Sequence, residues 1–221
     1  AYVWSSQPVS AEAPSTLWLV ERTAAGIEPA PSFDALGLRG NDSGPVKAAG
    51  VVVPESARLG EDGGGFDIMM GTVLPFFQVQ VAACNVGLME GALARACAHA
   101  SGTRYDHLDS SLADLPTVRA YLAKARCKAD AAHALLDDTL TAMEQGRADA
   151  QLRVLQSKAV CADASAEVMD ILMRVCGGAA FRKDVGVERY FRDARAGLVM
   201  APTSDVLYDF IGKAICGMEL F

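Results

Sequence analysis

Two neighbouring stretches of the chain place apolar residues at alternating steps of three and four, and this spacing restricts the fold more than any other feature. The first stretch spans about residues 111–145 and contains the series Leu115, Val118, Leu122, Ala125, Ala129, Ala132 and Leu136. The second spans about residues 148–176 and contains the series Leu152, Leu155, Ala159, Ala162, Ala166, Met169, Met173 and Cys176. This pattern is typical of the narrow apolar face of helices in a near-antiparallel bundle. It predicts two long helices that pack against each other.

Two more helices are predicted on either side of this pair. One runs from Thr72 to about Ser101, with Pro75 tolerated near its start. The other runs to about Ala214 and has Thr203 as a suitable N-cap. The glycine pair at 177–178 is a signal for the end of the preceding helix. The later part of the chain is therefore predicted to be a four-helix bundle.

The first part of the chain is predicted to be β-structure. Its strand-like segments are YVWSS, TLWLVER and AGVVVPE, and turn-forming residues separate them. Because these are few strands for an independent sheet, we expect the end of a middle β domain whose N-terminal part is missing. The predicted fold class is α+β and mostly α, with a partial β-barrel or sandwich domain over residues 1–60 and a four-helix-bundle domain over residues 61–221.

Charge and cysteine usage exclude several classes of protein. The net charge is −7, with both signs interspersed and no basic run, so a nucleic-acid partner is not expected. Six cysteines without a CxxC pair indicate a reducing compartment rather than a zinc or disulfide framework. The apolar stretch 73–88 contains proline, glutamine and asparagine, which favours a buried helix over a membrane span. No signal peptide opens the sequence, and we predict a cytoplasmic protein without a metal.

Five motifs follow one another along the chain. They are LGLRGNDS at 36–43, VVVPESARLGEDGGGF at 51–66, GTR at 102–104, RVCGGAAF at 174–181 and VERYFRDARAGLVMAPTSDVLYDFIGK at 187–213. Their order and spacing resemble the acyl-CoA dehydrogenase family of flavoproteins. The resemblance covers the whole chain but only the later part of a family member, the end of the middle β domain and the C-terminal helical domain. It implies FAD bound at a subunit interface of a homodimer or homotetramer. It also implies an acyl-CoA thioester substrate that loses its α-proton and β-hydride, and an electron-transfer flavoprotein as electron acceptor.

The resemblance assigns FAD contacts to seven residues. They are Arg104, His107, Arg174, Gly177, Gly178, Thr203 and Asp205. The arginine at 104 would approach the pyrophosphate of a neighbouring subunit's FAD, the residue at 107 would lie at the flavin edge, and the glycine pair would face the adenine end. The arginine at 174 and the aspartate at 205 stand where the family often has glutamine.

Each of the main assignments also has an ordinary structural explanation. The arginine at 104 suits a solvated helix end, and the glycine pair and Thr203 suit helix caps. The RDAR segment at 192–195 is interpreted as an ion-pair network that seats the loop before the active site. The apolar run 196–201 is interpreted as pocket lining or core.

Neither position that carries the catalytic glutamate in the family has a carboxylate here. The usual position, directly before Gly-Thr, is Ala201, and the other position, on the first long helix, is Phe77. Abstraction of an α-proton needs a base within hydrogen-bond reach of that carbon. Three alternatives remain open. The protein is a dehydrogenase whose base lies elsewhere, a flavin-dependent monooxygenase of the same fold, or a non-catalytic partner subunit.

Overall fold

The computed structural model describes residues 1–9 and 12–219, and its strands are short. They are β1 Tyr2–Ser6, β2 Thr16–Val20, β3 Ile27–Pro29, β4 Val46–Ala48, β5 Arg58–Leu59, β6 Arg104–Tyr105 and β7 Ser110–Ser111. They form an antiparallel sheet in the order β1-β2-β5 and two separate pairs, β3-β4 and β6-β7. The predicted strands at YVWSS and TLWLVER are confirmed as β1 and β2, which pair from Tyr2 opposite Val20 to Ser6 opposite Thr16.

The predicted strand AGVVVPE is wrong. Strand β4 ends at Ala48, and the residues that follow are irregular up to the short turn at Glu55–Ala57. Gly50 adopts a φ of 62°, a left-handed conformation that turns the backbone away from a ladder. The side chain of Val52 is 90% exposed. The apolar run therefore has no backbone ladder partner, although Val51 and Val53 are half-buried.

Six helices follow in the rest of the described chain. They are α1 Gly65–Ile68, α2 Leu74–Gly102, α3 Pro116–Glu144, α4 Ala150–Cys176, α5 Val187–Val199 and α6 Ser204–Ile215, with a π-helical turn at Met69–Val73 between α1 and α2. Residues 1–35 and 39–76 form one compact unit, and residues 36–38 and 77–221 form a second one. The domain boundary predicted at residue 60 stays a prediction.

The long helices match the predicted apolar pattern. On α4, however, the buried surface is wider than the narrow apolar face that the sequence predicts. On α3, the buried members of the predicted series are Val118, Ala125, Ala129, Ala132 and Leu136. On α4, burial extends beyond the predicted series to Ser157, Lys158, Cys161, Ser165, Val168, Ile171, Leu172 and Val175. Helix α4 contacts α3, α5 and α6. It is the central helix of the unit, which explains the additional buried face.

The continuous helical segment Gly65–Gly102 is long and apolar enough to cross a membrane by length and composition alone. Ten side chains of its α2 part are buried, however, and most of them join the core cluster that also contains side chains of α3, α4 and α5. Core helices of this length and composition pass the same test, so the observation is weak evidence for a membrane span. The burial agrees with the predicted core helix.

Helix α5 was not predicted. Its buried residues are Val187, Ala194 and Gly197, which follow the helical steps of seven and three. Glu188 and Arg192 form an ion pair one turn apart. These signals are few, and the interpretation of 192–195 as an ion-pair network and of 196–201 as pocket lining or core did not identify a helix. The apolar run 196–201 contains the last turn of α5 and the first part of a turn that leads to α6.

The directions of the long helices follow from a few contacts. Gly91 lies against the ring of Tyr190, and Gly197 lies against the side chain of Asn85, so α5 is antiparallel to α2. Asp170 forms an ion pair with Arg195, while Lys158 bonds to Met200, so α5 is also antiparallel to α4. Helices α2 and α4 therefore run in the same direction and end at the same end of the bundle.

The RDAR segment lies on α5 and holds a short piece of the preceding chain. The Arg192 guanidinium pairs with Glu188 and donates to the Leu36 carbonyl oxygen at 2.8 Å. The Leu38 N–H donates to the Asp193 carboxylate at 2.7 Å. The predicted ion-pair network is thus present, and the segment it holds is 36–38.

Substitution of Gly37 tests this packing. An alanine Cβ at residue 37 would lie 2.5 Å from the Arg192 carbonyl oxygen and 2.9 Å from the Asp193 Cα atom. We expect Gly37→Ala to lower the free energy of unfolding by about 1–3 kcal/mol, since the backbone must shift to accommodate the methyl group. Urea denaturation measures this loss of stability. Gly40→Ala is the control, because a Cβ at residue 40 has no neighbour within 4 Å. Equal stability of the two variants would contradict the close contact.

All six cysteines are free, as predicted, but only two of them behave as small core residues. Cys161 and Cys176 are buried, and burial raises the pKa of the Cys161 thiol to about 12 and of the Cys176 thiol to about 11. The remaining four thiols, at 84, 97, 127 and 216, are exposed. Among the described residues, only Cys161 and Cys176 are therefore core cysteines.

Candidate functional site

The turn between α5 and α6 contains the position where the resemblance places a catalytic base. The turn begins after Val199 and ends at Thr203, whose hydroxyl oxygen accepts a hydrogen bond from the Val206 N–H at 3.4 Å and caps α6. Thr203 thus has the capping role that its ordinary structural explanation gives it. Ala201 is exposed, and Pro202 is half-buried. The turn itself offers no side chain able to take a proton.

Lys158 of α4 holds this turn from beneath. Its side chain is fully buried, and its Nζ atom donates to the Met200 carbonyl oxygen at 3.0 Å and to the Pro202 carbonyl oxygen at 2.8 Å. Burial lowers the pKa of the Lys158 amine from its ordinary value, and the charge of Asp163 opposes that shift. Sequence reasoning missed this residue, although a lysine between Leu155 and Ala159 interrupts an apolar helix face.

A second polar link joins α4 to α6 beside the turn. The Tyr208 hydroxyl donates to the Asp163 carboxylate at 2.6 Å. Burial first, and then the bond to Asp163, raise the pKa of the Tyr208 phenol to about 12. Leu207 is fully buried against Leu155 and Ala159 of α4. The start of α6 is therefore fixed on α4 by one apolar contact and by hydrogen bonds on both sides of it.

The N-terminal turns of α2 lie at the same end of the bundle as this turn. Because Gly197 lies against Asn85, the residues that follow α5 are beside the earlier turns of α2. Phe77 on that part of α2 is half-buried, and Gln78 is fully buried with no hydrogen-bond partner for its amide among the described residues. The two family positions for the base, Phe77 and Ala201, thus occupy one end of the bundle, and both are apolar.

The other predicted FAD contacts lie at the opposite end. Arg104 follows α2 and donates to the exposed Asp109 carboxylate at 2.8 Å. The exposed His107 ring lies edge-on to the Tyr105 ring, with 6.4 Å between the ring centroids. Arg174 is exposed in the last turn of α4 and forms no ion pair within residues 1–9 and 12–219.

The glycine pair 177–178 ends α4 at this same end. Gly177 has a φ of 57°, which only glycine adopts readily at such a ψ of −139°, so the helix end by itself explains this residue. A Cβ on Gly178 would meet nothing within 4 Å. The backbone there is open to a ligand or to another chain.

The predicted cofactor residues therefore fall into two groups and do not form one site within a single chain. Thr203 and Asp205 lie at the Lys158 end, and the arginines and glycines lie at the Cys176 end of α4. The eighteen residue steps from Lys158 to Cys176 correspond to about 27 Å of helix at 1.5 Å per residue. No group of three or more His, Cys, Asp or Glu side chains is arranged for a metal ion among the residues that the structure describes.

The arrangement of helices around α4, with a helix-capping turn at one end and an open glycine pair at the other, is shared with solved acyl-CoA dehydrogenase structures. The butyryl-CoA dehydrogenase of Megasphaera elsdenii superposes with a TM-score of 0.86 at 23% identity, over 97% of this chain and 55% of that one. The structure titled "PigA with FAD and proline" superposes with a TM-score of 0.82 at 16% identity, over 91% and 52%. At these identities the superpositions show the shared fold.

Sequence comparison identifies the family. The profile described as "Acyl-CoA dehydrogenase, C-terminal domain" matches residues 63–216, and the chain belongs to this family. The mitochondrial very long-chain specific acyl-CoA dehydrogenase of Bos taurus is 29% identical over 208 residues, 93% of this chain and 31% of the bovine protein. The human protein of that name is 30% identical over the same coverage. The chain thus spans about a third of these relatives and about half of the superposed structures.

Proposed function

We propose that this chain is part of an FAD-dependent oxidoreductase that forms a double bond between C2 and C3 of an acyl-CoA thioester. The observation that carries this proposal is the family match over residues 63–216, which includes the turn held by Lys158 where the family has its base. An electron-transfer flavoprotein is the proposed acceptor. A cytoplasmic location is proposed with it, and the six free cysteines support a reducing compartment.

The residues at the two ends of the bundle fit an FAD. Arg174 has no carboxylate partner within the described ranges and is available to a phosphate, and the partner of Arg104 is an exposed aspartate that a stronger anion can replace. Gly178 leaves the backbone accessible. Thr203 and the exposed Asp205 offer a hydroxyl and an acceptor at the other end. The His107 ring is exposed and available for contact at the flavin edge. When bound, FAD supplies the hydride acceptor for the dehydrogenation.

The separation of the two groups supports an oligomer. A single FAD cannot reach both ends of a helix segment of about 27 Å while it also reaches a substrate at one end. A site built from Arg104 and the glycine pair of one subunit and Thr203 of another removes this conflict. We therefore propose a homodimer or a homotetramer in which two subunits share each cofactor.

A second candidate function follows from the apolar residues at both base positions. Without a carboxylate at Phe77 or Ala201, the chain has no group at those positions to take the α-proton. A flavin-dependent monooxygenase of the same fold needs no such base, and a non-catalytic partner subunit needs none either. These alternatives predict a flavin that acyl-CoA does not reduce.

An anaerobic titration separates the candidates. The protein produced from its complete gene is purified with its flavin, and acyl-CoA thioesters of increasing chain length are added while the visible flavin absorbance is followed. Loss of absorbance with one class of chain length is expected for the dehydrogenase. A flavin that stays oxidised with every thioester, together with oxygen consumption after chemical reduction, would support the monooxygenase instead. Lack of both reactions would support the partner subunit.

A further inference from the structure

Lys158 is buried without the partner that a buried lysine ordinarily has. Its side chain is fully buried, and its Nζ atom bonds to two carbonyl oxygens rather than to a carboxylate, although the charge of Asp163 acts on it. Charged side chains in protein interiors are normally paired with an opposite charge, because desolvation of an isolated ammonium group is costly. Here, two backbone carbonyl oxygens take the place of the carboxylate. The buried ammonium group therefore interacts mainly with these two carbonyl groups.

The two carbonyls belong to residues that flank a single position in the turn. Met200 and Pro202 both direct their oxygen atoms to the Lys158 Nζ atom, at 3.0 and 2.8 Å. The orientation of the Met200–Ala201 and Pro202–Thr203 peptide planes is thereby fixed, and the Ala201 side chain is left on the exposed side. Neither carbonyl accepts a hydrogen bond from the α5 or α6 backbone, since α5 ends at Val199 and α6 begins at Ser204.

We propose that Lys158 is a positioning residue that sets the direction in which residue 201 and Thr203 face the substrate and the flavin. The inference rests on the proposed function for what the turn faces, but the anchoring itself is independent of it. A hydrogen bond from a charged donor is about twice as strong as one between neutral groups, so two of them hold the turn more firmly than backbone contacts alone. Burial lowers the pKa of the amine, which is the cost of placing this side chain beneath the turn.

The experiment compares three variants with the FAD-loaded wild type produced from the complete gene. Lys158→Met removes the donors and keeps the length of the side chain. Lys158→Arg keeps donors for both carbonyls. Tyr208→Phe is the matched control, because it removes a different hydrogen bond between α4 and α6, the one to Asp163, and leaves the turn anchored.

Two readouts are measured, and the first does not depend on activity. Amide hydrogen exchange of residues 199–206 is expected to be at least tenfold faster in Lys158→Met, with α3 unchanged and with less than a threefold effect in Tyr208→Phe. The rate of flavin reduction by acyl-CoA at saturation is expected to fall at least tenfold in Lys158→Met, while the Kd for acyl-CoA changes less than threefold. Lys158→Arg is expected to recover part of both effects.

Three results would overturn the inference. Wild-type exchange at 199–206 in Lys158→Met would mean that the turn does not need the lysine. Equal acceleration in Tyr208→Phe or throughout α3 would mean that Lys158 only stabilises the fold. A faster-exchanging turn with an unchanged reduction rate would mean that its orientation has no consequence for the reaction. If no thioester reduces the wild-type flavin, the proposed function fails, and the exchange readout alone decides whether Lys158 anchors the turn.

Discussion

Ala201→Glu is expected to increase the rate of flavin reduction by acyl-CoA at least a hundredfold. A positioned general base typically contributes about 10²–10⁴-fold, and residue 201 is where the resemblance to the family places that carboxylate. The Ala201 side chain is exposed, so a longer side chain has room to extend from the turn. The ammonium group of Lys158, which lies on α4 beneath this turn, favours the ionised form of a nearby carboxylate. Anaerobic stopped-flow measurement at saturating thioester gives the rate.

Ala201→Gln is the control for this gain. Glutamine has the size and polarity of glutamate but cannot take a proton, so this variant is expected to react at the wild-type rate. An equal rate for the two variants, with flavin content unchanged in both, would show that residue 201 is not the missing base position. Loss of flavin from Ala201→Glu alone would show that the turn faces the cofactor too closely to accept the charge, and would contradict the prediction as well.

Leu172→Ala is expected to lower the free energy of unfolding by about 2–5 kcal/mol, the range for removal of a fully buried leucine side chain. Leu172 lies on α4 with no exposed surface and belongs to the main core cluster, which contains side chains of α2, α3, α4 and α5. The surrounding helices cannot close the cavity without moving α4, which also contacts α6. Equilibrium unfolding in urea, followed by circular dichroism, measures the difference.

Val160→Ala on the same helix serves as the control for that loss. Its side chain is 37% exposed, and substitutions at such positions usually change stability by no more than about 0.5 kcal/mol. A loss of less than 1 kcal/mol in Leu172→Ala, or equal losses in the two variants, would mean that α4 is not the central helix of the core.

The long helices could be predicted from the sequence because their stability comes from a regular face. The series on α3 and α4 repeats often enough to fix both the type of element and its approximate ends, within about five residues at the start of α3. The short helix α5 could not be separated from a loop in the same way, because glycine and charged residues fill much of it. AGVVVPE has the composition of a strand. Whether a neighbouring strand pairs with it depends on the tertiary fold, which composition alone does not predict.

The candidate site was predicted less completely than the fold. A resemblance gives the order of Arg104, the glycine pair and Thr203 along the chain, but only the helix directions show that they lie at opposite ends. Lys158 was missed because a single lysine on an apolar face has no motif, and its two acceptors are backbone atoms 42 and 44 positions later. Long-range contacts of this kind are set by packing and leave little trace in local sequence.

The attachment of residues 36–38 to α5 bears on how the protein can be dissected. A fragment that starts at residue 61 would contain every helix yet lack the Leu38 N–H that donates to Asp193 and the Leu36 carbonyl oxygen that accepts from Arg192. The surface around these two side chains would be left open, and the N-terminal boundary of a self-sufficient helical fragment therefore lies before residue 36.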